Sequence, residues 1–138
     1  MGYKNPEYDM AMAIYQLIAG ELTVPVYKTD VPAPVNEHHV IVRSESSIPL
    51  ERNKHAFVTT CTVLVEVVTV FNAAIDESVS SGITNDINGL LMPTPNSYGI
   101  TTDYKISDIT VSSNNVIEDD GTNKYLTKIN RYEISLNQ

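Results

Sequence analysis

Phe57-Val58-Thr59-Thr60-Cys61-Thr62-Val63-Leu64-Val65-Glu66-Val67-Val68-Thr69-Val70-Phe71 holds a single charge, Glu66, and is dominated by β-branched side chains. That composition suits a pleated strand. Alternation sends Phe57, Thr59, Cys61, Val63, Val65, Val67, Thr69 and Phe71 to one face. The other face takes Val58, Thr60, Thr62, Leu64, Glu66, Val68 and Val70. At about 3.3 Å per residue the stretch reaches roughly 50 Å, far beyond the usual strand of about five or six residues. A chain of 138 residues can hardly cover both faces and both edges of it unaided. Left bare, Val63 to Val70 would invite aggregation. Cover from neighbouring copies, and hence an obligate oligomer, is the expectation.

Upstream, Asn5 and Pro6 open a helix with Glu7 and Asp9 in its first turn, where the dipole favours acids. Met10, Ile14, Leu17 and Ile18 recur at helical spacing, and Gly20 marks the stop. Thr23 to Lys28 reads as a short strand whose Pro25 suits an edge or a strand start. A loop with Pro32 and Pro34 leads to a second strand, His39 to Glu45, and then to a polar stretch from Ser46 to His55 that predicts a mobile loop. Downstream, Ile75, Val79, Ile83, Ile87, Leu90 and Leu91 form one face of a second helix, with Asp76 and Glu77 in its first turn. Tyr104 to Val111 alternates as a strand, 114–123 predicts a long turn, and Tyr125 to Leu136 predicts a closing strand of a hairpin. The order is α-β-β-β-α-β-β. It predicts an α+β fold in which two helices pack on one side of a mostly antiparallel sheet of about five strands. One domain over 1–138 is expected from the length.

The charge is lopsided. There are 17 acidic and 9 basic side chains, net −8, and residues 76–121 carry eight acids against Lys105. A surface that neutralises phosphate needs clustered Lys and Arg, so specific nucleic-acid binding is excluded as an expectation. No apolar run of about 18 residues is present to cross a bilayer, and the first residues lack a signal peptide's apolar core. A cytoplasmic setting, without membrane, is expected.

No chemistry-bearing constellation emerges. His38 and His39 are adjacent on a strand and point to opposite faces, so they cannot share a metal; with His55 they read as surface histidines. Cys61 lies mid-strand as a small hydrophobe with nothing to lower its pKa. Ser78, Ser80 and Ser81 lack a nucleophile elbow and read as a solvated helix side. Glu118-Asp119-Asp120-Gly121 lacks the alternating acids of a calcium loop, and Asp-Gly is first a turn signal. A carboxylate pair could be drawn from Asp103, Asp108 and Glu118, as from any acidic domain. No catalytic, cofactor-binding or metal-ligating residue is assigned, no cofactor is expected, and the chain does not read as an enzyme. Among eight tyrosines, Tyr3, Tyr8, Tyr98 and Tyr125 fall at element ends, where amphipathic rings suit interfaces.

The whole pattern resembles the tail-completion, or tail-terminator, family of long-tailed bacteriophages. The matching strings are Ile14-Tyr15-Gln16-Leu17-Ile18, Val26-Tyr27 with Val31-Pro32, His39-Val40-Ile41-Val42, Val68-Thr69-Val70-Phe71-Asn72, and Asp119-Asp120-Gly121 followed by Tyr125-Leu126-Thr127-Lys128. The resemblance spans roughly residues 9–136 and implies a structural virion protein. It implies a homo-oligomeric, hexameric ring that ends the tail tube, partners the tube protein and the neck connector or stopper, and lets DNA pass through its lumen. On that footing the candidate docking residues are Arg52, Lys54, Val63, Val65, Val67, Asp119, Asp120 and Tyr125. Asp76, Glu77, Asp86 and Glu118 are candidates for the lumen, where an acid excess would let DNA slide. Another neck ring (head-completion, stopper or adaptor) and a small ligand-binding α+β domain are the competing expectations.

Overall fold

Every strand of the sheet is ordered around the Val-rich stretch. A computed structural model of the chain describes residues 5–31, 36–52 and 57–137. The elements run α1 (Glu7–Ala19), β1 (Val26–Lys28), β2 (His39–Arg52), β3 (Phe57–Phe71), α2 (Glu77–Leu91), β4 (Lys105–Asp119) and β5 (Lys124–Asn137). The five strands form one sheet in the order β1-β2-β3-β5-β4. Only the β1–β2 pair is parallel; β2–β3, β3–β5 and β4–β5 are antiparallel. This is the α+β class and the element order that the sequence predicts.

β3 is central, and its own chain supplies both of its edges. β2 follows it from His39↔Val68 to Arg52↔Phe57, and β5 from Phe71↔Lys124 to Val58↔Asn137. Val63, Val65 and Val67 are fully buried, with Cys61 and Thr59 in the same row. Met10, Ile14 and Ile18 of α1 and Ile87 and Leu91 of α2 join that row, Val40, Val42, Tyr132, Ile134 and Leu136 in one core. Both helices thus cover one face of the sheet. The expectation that neighbouring copies must cover β3 is therefore overturned for its two edges and its helix-bearing face. Both edges and one face are covered internally, because β2 and β5 grow as long as β3 itself.

Two loop assignments are corrected by this length. Ser46 to Arg52 is strand and not mobile loop, pairing through Ser46↔Thr62 to Arg52↔Phe57 with register shifts at Ser44/Ser46 and Pro49/Glu51. Residues 53–56, including Lys54 and His55, lie outside the described residues. Likewise 114–119 is strand, because β4 continues to Asp119↔Lys124. The physical reason is common to both. Each polar segment follows a strand with one unpaired edge, and antiparallel pairing satisfies backbone groups whatever the side chains are.

The helix ends follow local chemistry. In α1 the Glu7 N–H donates to Asn5 Oδ1 at 3.0 Å, with Pro6 at the N-cap. In α2 Asp76 is the N-cap itself, accepting from the Ser78 N–H at 3.0 Å and from its hydroxyl at 2.6 Å, which lowers the Asp76 pKa through those bonds. Ser78 and Ser81 are exposed as expected, but Ser80 is buried against the sheet side and donates to Glu77 O at 3.2 Å. At the far end of α2, Gly99 N–H donates to Leu91 O at 3.0 Å. A Cβ on Gly99 would fall onto the Leu90 carbonyl oxygen.

Candidate assembly surfaces

The Asp119–Lys124 turn uses up its carboxylates in building itself. Gly121, with φ +89°, donates its N–H to Asp119 Oδ1 at 2.8 Å. Asp120 Oδ1 accepts from the N–H groups of Asn123 (2.7 Å) and Thr122 (2.9 Å), and Asp120 Oδ2 accepts from the Tyr125 hydroxyl at 2.9 Å. Those bonds, the one from Asn123 foremost, hold the Asp120 carboxyl below its usual value. Among the described residues no group of three His, Cys, Asp or Glu gathers as a metal site would need.

The histidines are not all on the surface. His39 is buried, with Nδ1 2.8 Å from Glu37 O and its ring edge-on to Tyr27 at 5.9 Å. His38 is half-buried, accepts the Val70 N–H at 3.0 Å and lies 5.5 Å from the Phe71 ring. His38 pins the start of β2 against the end of β3, and His39 sets it against β1. Cys61 is buried and its thiol is pushed up to about 12, by burial first and by the Glu7 charge second.

Strand register sorts the remaining candidates by position. Asp119, Asp120 and Tyr125 lie at the end of the sheet where β3 leaves toward α2, and Arg52 lies at the opposite end, which it shares with Lys105 across β3 and β5. About fourteen residue levels separate them, roughly 45 Å. Arg52 and the acidic turn therefore belong to two surfaces. Val63, Val65 and Val67 belong to neither: they are fully buried beneath this chain's own helices. Asp76 and Glu77 sit at the start of α2 and Asp86 along its exposed side, whereas Glu118 pairs with Tyr125 on the face away from the helices. The four lumen candidates are thus split between two faces.

The face away from the helices carries residues that sequence reading passed over. Ile41, Arg43 and Glu45 of β2, Leu64, Glu66 and Val68 of β3 and Ile129, Arg131 and Glu133 of β5 share it. Arg43 pairs with Glu66, and Arg131 reaches over β3 to Glu45 at 3.2 Å. Leu64 and Val68 stay part-exposed there, and no described helix packs against them. The period-two alternation of β3 does mark this face; that no helix covers it is a tertiary fact. A shallow groove of about 360 Å³, lined by Glu21, Leu22, Asn85, Asp86 and Leu90 among others, opens between the helices.

No known family matches the sequence, and no curated protein matches it either. Among solved structures, a chain of the virion of a native gene transfer agent (GTA) particle is similar in fold. It aligns with a TM-score of 0.59 at 11% identity, over 91% of this chain and 94% of that one. At that identity the likeness is one of fold.

Proposed function

We propose that this chain is a structural subunit of a phage-like virion, assembling as a hexameric ring that ends the tail tube and joins it to the neck. The observation that carries the reading is the face of the sheet that no described helix covers, with part-exposed Leu64 and Val68 set among the Arg43–Glu66 and Arg131–Glu45 pairs. Apolar patches rimmed by paired charge suit burial against another protein. The fold shared with a gene transfer agent virion chain over nearly the full length of both supports the same class. So do the two unlike ends of the sheet, since a ring joining two structures needs two docking surfaces.

In this reading ring contacts cover the open face, Asp119, Asp120 and Tyr125 serve one docking end, and Arg52 serves the other. DNA passes through the lumen, and the net charge of −8 disfavours its adhesion. The test is capture. The chain is mixed with tail tubes purified from the virus that encodes it and imaged by electron microscopy. Six-fold density at one tube end is expected; tubes left bare overturn the terminator role. Capture on head connectors instead would reassign the ring to another neck position.

A further inference from the structure

The two edges of the sheet are finished differently. Along β2 the edge is covered by β1 at Val40–Val42, broken by register shifts at Ser44/Ser46 and Pro49/Glu51, and interrupted by Pro49. Those are devices that stop one sheet from adding to another. Along β4 one such device is present, the register shift at Ile106/Asp108 near the start of the strand. From Ile109 to Ile117 the edge strand has no charge, no proline and no register shift, and among the described residues only β5 pairs with its backbone. It also exposes apolar side chains on both faces: Val111 is 42% exposed, Val116 37% and Ile117 63%.

We propose that two copies of this chain pair antiparallel through their β4 edges, about a two-fold axis at Ser112, to make one ten-stranded sheet. β4 is its own complement in that register. Ser112 meets Ser112, Val111 meets Ser113, Thr110 meets Asn114 and Ile109 meets Asn115. The extra residue at the Ile106/Asp108 shift then brings Ile106 opposite Ile117 and Lys105 opposite Glu118, with faces matched. Each end of the ladder gains an opposite-charge pair and a pair of apolar side chains, and no like charges are set directly opposite. Val111 lies diagonal to its own copy on the helix-bearing face, within reach of a side-chain contact. A head-to-tail ladder onto β2 of a second copy would instead meet Pro49 and both shifts. The two-fold pair sets the acidic end of one copy beside the basic end of the other, so it describes the free chain and must open before a ring with two unlike ends can form.

Disulfide capture tests it. Ser112→Cys places two thiols across the axis, at the Cα separation of a directly opposed pair, roughly 4.5–5.5 Å. Thr110→Cys displaces them by four residues, roughly 13 Å. Ser112 and Thr110 are both exposed, so either change leaves the core intact, and Cys61 is buried away from the oxidant. Under mild oxidation Ser112→Cys is expected to become a covalent dimer and Thr110→Cys to remain uncrosslinked. Sedimentation of the unmodified chain should show a dimer. Lys105→Glu should raise its dissociation constant about tenfold, and adding Glu118→Lys should bring it back. A monomer at 100 µM overturns the pairing. So does an oligomer in which Ser112→Cys fails to crosslink, or a double charge reversal that binds no better than the single one. Tube capture is read separately, so failure here leaves the virion reading standing, and the reverse.

Discussion

Cys61 and Tyr132 are the titratable groups most altered by folding, and both are altered the same way. Burial pushes the Cys61 thiol from 9.0 up to about 12 and raises the Tyr132 phenol too. The folded chain thus keeps both protonated at a pH where the unfolded chain would ionise them. Their contribution is fully present below about pH 9 and is lost as pH climbs toward about 12. Denaturant midpoints should therefore be level from neutral pH to about pH 9 and fall beyond it, with a shallower fall in Cys61→Val. A midpoint that rises above pH 9 would contradict this sign. The same burial makes Cys61 inert to iodoacetamide until the chain unfolds. Tyr132 also donates to Asn88 Oδ1 at 2.5 Å, tying β5 to α2; Tyr132→Phe leaves that acceptor short of a partner and should cost about 1–2 kcal/mol by chemical denaturation. Gly99→Ala should cost more, about 2–4 kcal/mol, because its Cβ meets backbone at Leu90 that cannot yield as a side chain would.

At the scale of elements, α2 depends on a cap and the sheet on strand length. Asp76→Ala removes the acceptor for the Ser78 N–H and hydroxyl and should lower stability by about 1 kcal/mol, read from denaturant midpoints, with Asp76→Asn retaining most of it. The elements legible in the sequence were those with an apolar rhythm: α1 by Met10, Ile14 and Ile18, β3 by its valines, α2 by Ile83, Ile87 and Leu91. The outer halves of β2 and β4 were not. In β4 every residue from Thr110 to Asp119 is exposed, so no inward-facing side chain marks the strand. Its extension is dictated by the backbone of β5. Of the candidate surfaces, the acidic turn was visible as Asp-Asp-Gly. The Arg43–Glu66 and Glu45–Arg131 pairs were not, because partners on different strands share no fixed spacing in the sequence. Val63, Val65 and Val67 looked available for the same reason: nothing in a strand's alternation says which of two apolar faces receives the helices.

On the scale of the whole molecule the distribution of charge gives the sheet a direction. Glu118 and Asp119 lie at the end where β3 exits, with Asp76 and Glu77 following at the start of α2; Arg52 and Lys105 lie at the other end. If the chain forms a ring between two structures, those ends should dock different partners, and each should be separable by charge. Glu77→Lys with Glu118→Lys reverses the acidic end without touching the Asp120 hydrogen bonds that shape the turn. Arg52→Glu with Lys105→Glu reverses the other. Each pair should lower capture by one partner about tenfold at low salt while leaving the other partner's capture intact, because rim charges act chiefly on association and orientation. The loss should shrink as salt is raised and the Debye length falls to about 8 Å or less. Tail tubes and head connectors, presented separately to each variant, read the two arms. Equal losses on both partners from either reversal would mean that the ends are not distinct docking surfaces, and the charge would then reflect solubility of the free chain alone.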